Sequence, residues 1–312
     1  MPTHLPLQGL FSVTVTPFAA DGALDLAAFA QILEWHIAQG SAGLAIAADN
    51  GEASLLTITE RQAMAETAMR VAAGRVPVIM GAIGTHAFTA AETIKMVEVA
   101  AAAGVSAALV APTPYVGRAT RAEMVGRYRD IHRAVGLPLI AYNNPGHFGL
   151  AVEGDTLAQL IDEAGVIGIK ESSRHFLDIS RTIARFDERI SIFMGCGYLA
   201  MPGLAMGAKG ILSTGVDLFG RDSARIVALA RDAWGEEARR LHVAIGRAYT
   251  FLLETGTPPA ALKALLNFMG LPAGIPRLPV HPLAGDDLDR LRALFTELGV
   301  LGADAEARRV EA

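Results

Sequence analysis

The chain has 312 residues, of which 52% are hydrophobic and 19% are charged, and its formal net charge at pH 7 is −5. This much apolar material supports a sizeable core and excludes a disordered chain. The charges form no Lys/Arg-rich run or stripe, which argues against a nucleic-acid partner.

The cysteine content, the N-terminal residues and the apolar stretches all bear on the cellular compartment. Cys196 is the single cysteine, so an intramolecular disulfide is impossible and a reducing compartment fits best. Residues 1–11 do not have the pattern of a signal peptide, and the longest apolar stretch, 99–111, is shorter than the roughly 20 residues of a membrane span. We expect a cytoplasmic protein without a membrane partner.

In chain order, short β-branched runs alternate with longer amphipathic stretches. The predicted strands are 11–18, 43–48, 77–83, 107–113, 137–142, 166–170, 190–194 and 210–214. The predicted helices are 25–39, 59–73, 89–103, 120–135, 154–164, 175–186, 198–207 and 221–231. Eight such units over about 220 residues predict an α/β fold of the (β/α)₈ TIM-barrel type. A doubly wound open sheet is the rival, but no G-x-G-x-x-G follows the first strand.

Beyond residue 232 the strand signal stops, and three helical patterns follow at 236–253, 259–269 and 286–298. We therefore expect a barrel over residues 1–232 that carries the active site, and a helical region over 233–312 packed on it. Local signals also predict two helix starts, at Thr59 before Glu60 and at Thr120, where Glu123 completes a capping box.

The four lysines can be separated by position. Lys95 and Lys263 lie on predicted helices, where solvent exposure is the simplest expectation, and Lys209 precedes the eighth strand at the opposite mouth of the barrel. Lys170 alone ends a strand on the side where such barrels build their active sites. Partial desolvation there would lower the pKa of its amine from the usual ~10.4, and a neutral amine can attack a ketone. The alternative is an ion pair between Lys170 and a neighbouring carboxylate such as Glu171.

Two neighbouring strand ends carry further candidates. Tyr142 ends strand five, beside strand six, where its phenol could shuttle protons for Lys170. The alternative is a core tyrosine whose hydroxyl bonds to backbone. After strand two, the turn from Asp49 through Asn50 and Gly51 exposes backbone N–H groups and an amide suited to a substrate carboxylate. The alternative is a plain strand–loop turn in which Gly51 supplies a positive φ. If the turn binds a carboxylate, Asp49 should point away from that anion and toward the reacting carbons, because its own charge would repel it.

Metal chemistry finds little support in the sequence. The eight histidines show no H-x-H or H-E-x-x-H spacing. His147 and His175 follow strands five and six and are expected near the mouth. Cys196 has no recognisable partner base, which favours a structural role. We expect no metal or organic cofactor.

Several strand-end motifs together resemble the dihydrodipicolinate synthase / N-acetylneuraminate lyase family in order and spacing, over about residues 7 to 300. They are Thr16-Pro17-Phe18, Asn50-Gly51-Glu52, Tyr142-Asn143-x-Pro145, Gly168-Ile169-Lys170-Glu171-Ser172 and Gly207-Ala208-Lys209-Gly210-Ile211-Leu212-Ser213. The resemblance implies a (β/α)₈ barrel with a C-terminal helical region, pyruvate-type class I aldolase or dehydratase chemistry, and usually a tetramer.

The resemblance also implies roles for individual residues. Lys170 matches the Schiff-base lysine, and Tyr142 matches the catalytic tyrosine. Asn50 and Gly51 match the turn that holds the carboxylate of the 2-oxo acid. Leu212 matches a strand-eight position near the bound acid.

Four departures from the family pattern bear on the substrate. Asp49 stands where a proton-relay threonine is usual, and Val116 stands where the synthases have the relay's second tyrosine. His147 replaces the arginine that binds the carboxylate of the aldehyde in synthases. Gly197 and Tyr198 replace the acidic pair of sialic acid lyases. Aspartate semialdehyde and a sialic acid are therefore both poorly provided for.

The sequence predicts a Schiff-base-forming lyase that acts on 2-oxo acids. It would either cleave or condense an aldol with pyruvate, an aldehyde being the second substrate, or dehydrate a hydroxylated 2-oxo acid. Asp49 would be the distinguishing acid/base, Asn50 and Gly51 would hold the carboxylate, and His147 would contact the distal part of the substrate. Three alternatives remain: a synthase proper, a non-catalytic barrel that binds a 2-oxo acid, and a metal-dependent barrel lyase.

Overall fold

The computed structural model describes residues 7–84, 89–112, 118–232 and 235–302. Within these ranges, eight parallel strands pair in sequence order, and the eighth pairs with the first to close a barrel. The strands are β1 (Gly9–Val13), β2 (Gly43–Ile46), β3 (Val78–Gly81), β4 (Ala107–Val110), β5 (Leu139–Asn143), β6 (Val166–Glu171), β7 (Ser191–Met194) and β8 (Gly210–Ile211). The predicted fold class is confirmed.

Helices surround the barrel and continue beyond it. Those of the barrel are α1 (Leu26–Ala38), α2 (Ile58–Ala72), α3 (Ala90–Ala102), α4 (Arg121–Val135), α5 (Pro145–Phe148), α6 (Gly154–Glu163), α7 (Phe176–Phe186), α8 (Ala200–Ala205) and α9 (Arg221–Asp232). The C-terminal helices are α10 (Glu236–Glu254), α11 (Pro258–Phe268) and α12 (Asp286–Glu297). Among the helices of the described ranges, none has both the length and the apolar character that a bilayer crossing demands.

Some predicted bounds were wrong. Strand one was expected at 11–18, but the chain leaves the sheet after Val13, and Phe18 forms antiparallel bridges to Leu24 and Ile275 instead. The helix expected at 198–207 is shorter because Pro202 has no N–H for the helical ladder, so a 3₁₀ turn precedes α8.

The N-cap of the second helix was also misplaced, whereas that of the fourth was right. Thr57, and not Thr59, caps α2, and its capping box with Glu60 is complete. Thr120 and Glu123 form the predicted capping box of α4. In both cases a threonine hydroxyl accepts a hydrogen bond from the backbone N–H three residues on, which fixes where the helix begins.

The interior of the barrel is filled by apolar side chains, since every second residue of a strand faces inward. The buried set that forms this interior includes Phe11, Val13, Ala45, Ile79, Ala107, Leu109, Ile140, Tyr142, Phe193 and Leu212. Gly43 makes room for the largest of them, because a Cβ at that position would collide with the Phe11 ring. The interior is thus a packed core, and access is left only at its mouth.

Strands β5 and β6 are not in simple register. Leu139 pairs with Val166, but the next residue, Ile140, pairs with Gly168, so one residue of β6 is bulged. That extra residue is Ile167, which is 39% exposed. After the shift, Tyr142 lies directly opposite Lys170.

The C-terminal helices share an apolar core with the mouth end of the barrel. Leu262 and Leu265 of α11 pack in one buried cluster with Val15, which follows β1, and Ile32 of α1. The division of the chain at residue 232 stays a prediction, because this shared core does not define a boundary.

A buried arginine fastens two loops at the mouth. Arg61 on α2 is 2% exposed, and its guanidinium donates hydrogen bonds to the carbonyl oxygens of Gly81 (2.7 Å), Ala53 (2.6 Å) and Ile83 (2.9 Å). Burial lowers the pKa of Arg61 to about 10. The loops after β2 and β3 therefore depend on one cation for their relative position.

We expect Arg61→Lys to lower the free energy of unfolding by about 3 kcal/mol, because a single ammonium cannot reach three carbonyls that are then left desolvated. Urea denaturation measures this loss. Arg75→Lys, at an exposed arginine paired with Glu34, is the control and should stay near wild type. A loss of less than about 1 kcal/mol for Arg61→Lys would contradict the role of Arg61 in holding the loops after β2 and β3 together.

Candidate active site

Two chemistry-bearing side chains meet at the mouth of the barrel. Tyr142 on β5 and Lys170 on β6 are register partners, and they are 3% and 4% exposed. The Lys170 Nζ lies 4.2 Å from the centroid of the Tyr142 ring. Burial lowers the pKa of Lys170, while the negative charge of Asp49 opposes that shift. The amine thus lies in a setting that favours its neutral form.

The Tyr142 hydroxyl is bonded to a carboxylate and not to backbone. It donates to Asp49 Oδ2 at 2.7 Å, and the Asn144 amide approaches the same hydroxyl at 3.3 Å. Burial, followed by the charge and hydrogen bond of Asp49, raises the pKa of Tyr142 well above its ordinary value. A core tyrosine tied to backbone is therefore the wrong alternative. Lys170, Tyr142 and Asp49 form one contiguous group from three different strand ends.

The turn after β2 is held by neighbouring loops. The Asn50 side chain is 8% exposed, and its amide donates to Thr214 Oγ1 beyond β8. Thr16, beyond β1, donates its hydroxyl to the Gly51 carbonyl at 2.7 Å. A Cβ at Gly51 would lie 3.2 Å from the Thr14 carbonyl oxygen, a tight contact that a larger residue could make only if its neighbours moved. The turn is consequently rigid and tightly packed.

One expectation for this turn was wrong in detail. The backbone N–H of Gly51 bonds to the Ala48 carbonyl at 3.0 Å, and that of Glu52 bonds to the Asp49 carbonyl at 3.0 Å. Both groups are used inside the 3₁₀ turn and do not face a ligand. The turn presents the side chains of Asp49 and Asn50 to the cavity.

The carboxylate beside Lys170 has other partners. Glu171 accepts hydrogen bonds from the Asn143 amide (2.8 Å) and from the Ser173 backbone N–H (2.8 Å). Burial raises the pKa of Glu171. Since side chains alternate along a strand, Glu171 faces away from the barrel interior that Lys170 enters. The alternative of a Lys170–Glu171 ion pair is wrong.

The two predicted histidines lie at the rim. His147 on α5 is exposed, with its Nδ1 4.0 Å from Asp49 Oδ2, and its ring stacks on Phe148 at 4.6 Å between centroids. His175 is also exposed and bonds to Asp178 at 2.6 Å. Among the described residues, no three His, Cys, Asp or Glu side chains converge as metal ligands would. The expectation of a reaction without a cofactor stays a prediction.

A cavity of about 1260 Å³ opens above these residues. Asp49, Asn50, Tyr142 and Lys170 line its floor, with Leu212 buried in the barrel core beneath. Its outer wall includes apolar side chains of the C-terminal region, Tyr249, Leu253, Pro258, Pro259, Pro279 and Val280. The cavity exceeds what a three-carbon acid fills, so it has room for a longer substrate.

The sequence reasoning missed a buried ion pair next to the turn. Lys263 was expected in solvent, but it is 1% exposed and pairs with Glu52. Burial lowers its pKa to about 8, although the Glu52 carboxylate opposes the shift. A signal was available, because Lys263 is surrounded in the sequence by Ala261, Leu262 and Leu265, which cover more than one helix face.

Two other predictions have different outcomes. Cys196 is buried and its thiol contacts the Ser172 carbonyl at 3.4 Å; burial also raises its pKa, which agrees with the expected structural role. Tyr115 and Val116, the latter expected to break the family's tyrosine relay, lie outside the described residues.

Comparison with known proteins gives one consistent family. The profile of the dihydrodipicolinate synthetase family matches residues 6–298. A 4-hydroxy-tetrahydrodipicolinate synthase of Thiobacillus denitrificans is 31% identical over 92% of this chain and 95% of its own. A second, of Thermomicrobium roseum, is 33% identical over 92% and 93%. The crystal structure of dihydrodipicolinate synthase from Acinetobacter baumannii complexed with pyruvate has a TM-score of 0.86 at 29% identity, covering 95% and 100% of the two chains.

We expect Asp49→Asn to shift the pH profile of Lys170 modification toward lower pH. The carboxylate raises the pKa of Lys170, so removing its charge lowers that pKa further and frees the neutral amine at lower pH. The measurement is the rate of reductive methylation of Lys170 against pH, followed by peptide mass spectrometry. Lys95, an exposed lysine of α3, is read in the same samples and should keep its profile. A shift of Lys170 toward higher pH, or none, would refute the coupling.

Proposed function

The chain belongs to the dihydrodipicolinate synthetase family, whose members are lyases, and from this premise we propose that it is a class I lyase acting on 2-oxo acids. In this proposal the Lys170 amine forms an imine with the C2 ketone of the acid. One observation carries it: a desolvated amine 4.2 Å from the centroid of a tyrosine ring whose hydroxyl bonds to a carboxylate. An amine in this setting is a nucleophile with a proton carrier beside it.

The proposed reaction begins with attack of the neutral Lys170 amine on C2. Tyr142 passes a proton to the departing carbinolamine oxygen, water leaves, and an iminium forms. The Asn50 amide, supported by the Thr214 hydroxyl, binds the carboxylate of the acid. The iminium then accepts the electron pair released when a C3–H or C3–C4 bond breaks, which gives an enamine.

Asp49 distinguishes the possible second steps. Its carboxylate is bonded to Tyr142 and 30% exposed toward the cavity, so it can exchange protons with both the phenol and a substrate. After loss of the C3 proton, expulsion of a C4 hydroxyl needs an acid at that oxygen. For cleavage of C3–C4, a base must take the proton of the C4 hydroxyl as the bond breaks, so that C4 leaves as an aldehyde carbonyl while the electron pair of the bond enters the iminium. We propose that Asp49 performs one of these steps, as dehydratase or as hydroxy-oxo-acid aldolase.

We further propose that the substrate is not aspartate semialdehyde. The residue at the position of the synthase arginine is His147, which is exposed and stacked on Phe148. An imidazole cannot form the two parallel hydrogen bonds that a guanidinium gives a carboxylate. Synthase activity proper is the second candidate, and the curated relatives named 4-hydroxy-tetrahydrodipicolinate synthase, at 31% and 33% identity, favour it.

The remaining parts of the proposal follow the family. We propose a homo-oligomer, dimer or tetramer, in the cytoplasm, with the barrel of residues 1–232 carrying the site and the helices of 233–312 covering it. The imine supplies the electron sink, so no metal or organic cofactor enters the proposed mechanism.

Borohydride reduction in the presence of pyruvate tests the imine. We expect one covalent reduced pyruvyl group, located on Lys170 by peptide mapping, because only an imine is converted to a stable amine. Lys170→Arg should abolish the adduct, and Lys263 should stay unmodified in the wild type. A wild-type protein without adduct at saturating pyruvate would leave the non-catalytic barrel or a metal-dependent lyase, which chelator sensitivity separates.

A substrate screen with Asp49→Asn tests the second step. We expect the wild type to release pyruvate or water from a hydroxylated 2-oxo acid, and the variant to lose at least a hundredfold in kcat while still forming the borohydride-reducible adduct. Condensation of pyruvate with aspartate semialdehyde is assayed in parallel. Efficient condensation with aspartate semialdehyde by the wild type would favour synthase activity. Unchanged turnover in Asp49→Asn would overturn the role assigned to Asp49.

A further inference from the structure

The residue that follows the proposed carboxylate turn is held in an unfavourable backbone conformation. Glu52 has φ 54°, in the left-handed region, and is one of three non-glycine residues with positive φ among the described ranges. Such a conformation costs of the order of 1 kcal/mol or more for a residue with a Cβ. The surrounding contacts must therefore favour it.

Those contacts come from the C-terminal region. The Glu52 carboxylate forms an ion pair with Lys263 of α11 and accepts a hydrogen bond from the Arg277 backbone N–H at 2.8 Å. Both partners of the ion pair have side chains 1% exposed. Lys263 also donates to the Ile275 carbonyl at 2.7 Å, and its Nζ lies 4.6 Å from the centroid of the Phe18 ring.

Arg277 extends the same attachment along the loop. Its guanidinium lies over the Phe18 ring at 4.0 Å, donates to the Leu55 carbonyl at 2.8 Å, and pairs with Glu60 at 2.5 Å. Arg61 of α2 donates a hydrogen bond to the carbonyl of Ala53, the residue after Glu52. The ionic and hydrogen-bond partners of Lys263 and Arg277 are Glu52, Leu55 and Glu60 on one side. The other partners are backbone carbonyls of Gly22 and Ile275.

A buried ion pair is a weak source of net stability, because desolvating both charges offsets most of their attraction. What such a pair fixes well is geometry, since each charge needs its partner in one place. Here the geometry concerns the short turn whose Asn50 bonds to Thr214 and whose Asp49 bonds to Tyr142.

We propose that Lys263 is a positioning residue for recognition of the 2-oxo acid carboxylate, acting through Glu52 on the turn that carries Asn50. The inference rests on the proposed imine chemistry and adds a role that reaches the site from outside the barrel. Lys263 lines no part of the cavity where it would touch substrate, so its effect passes through Glu52.

The test compares two ketones that react with the same amine, of which only one has a carboxylate. Labelling of Lys170 under borohydride is followed with pyruvate and with neutral hydroxyacetone. For Lys263→Met and for Glu52→Gln we expect the second-order labelling rate with pyruvate to fall at least tenfold. The rate with hydroxyacetone should stay within threefold of wild type, because this ketone has no carboxylate for the Asn50 amide to bind.

The double variant Glu52→Gln/Lys263→Met tests the route of the effect. If Lys263 acts through Glu52, the double variant should lose about as much as one single variant, and not the product of the two losses. Ile131→Ala, which removes buried apolar side-chain atoms of α4 in the core between the barrel and its helices, controls for lowered stability and should leave the pyruvate/hydroxyacetone ratio unchanged. Glu52→Gln is the milder change and carries the test if Lys263→Met does not fold.

The outcomes are separable. Equal losses with both ketones, a multiplicative double variant, or unchanged labelling with pyruvate would each overturn the positioning role. A wild-type protein that neither ketone labels would refute the imine itself, and so the proposed function and not this inference alone.

Discussion

The desolvation of one amine against an aromatic ring is the constraint on which the site depends. Lys170 enters the barrel mouth where packing removes water, and this favours the uncharged form. Asp49 works in the opposite direction, because its charge holds a proton on the amine. The balance between these two effects decides how much nucleophile exists at neutral pH. Burial, followed by the charge and hydrogen bond of Asp49, raises the pKa of Tyr142, which suits a group that donates a proton before it accepts one.

Much of this arrangement could be predicted from the sequence because barrel geometry is regular. Short β-branched runs between amphipathic stretches indicated the strands, and the strand ends indicated the mouth. The structure places Lys170, Tyr142 and the turn at Asp49 together there. Capping chemistry placed Thr120 at a helix start because the Thr–Glu pair is a local signal.

The rest depended on contacts between segments far apart in the chain. Lys263 was assigned to solvent since a charged residue on a helix is usually exposed, and its partner Glu52 lies more than two hundred residues earlier. The hydrogen-bond partners of Glu171 could not be predicted from spacing, because Asn143 on the neighbouring strand and the backbone of Ser173 each bind one of its carboxylate oxygens. The four-residue helix at Pro145–Phe148 carries too few residues for a periodic pattern. Local sequence thus predicts elements, and tertiary contacts decide the partners.

The bulge at Ile167 decides which residues of β6 face the barrel interior. If Ile167 were instead paired regularly with Ile140, Ile169 would lie opposite Tyr142, and Lys170 would face the surrounding helices. Whether β6 presents Lys170 to the mouth therefore depends on this one-residue shift in register as well as on the identity of the residue. One residue inserted between Gly168 and Lys170 without a second bulge would turn the amine away from the mouth, although every functional residue would still be present in the sequence.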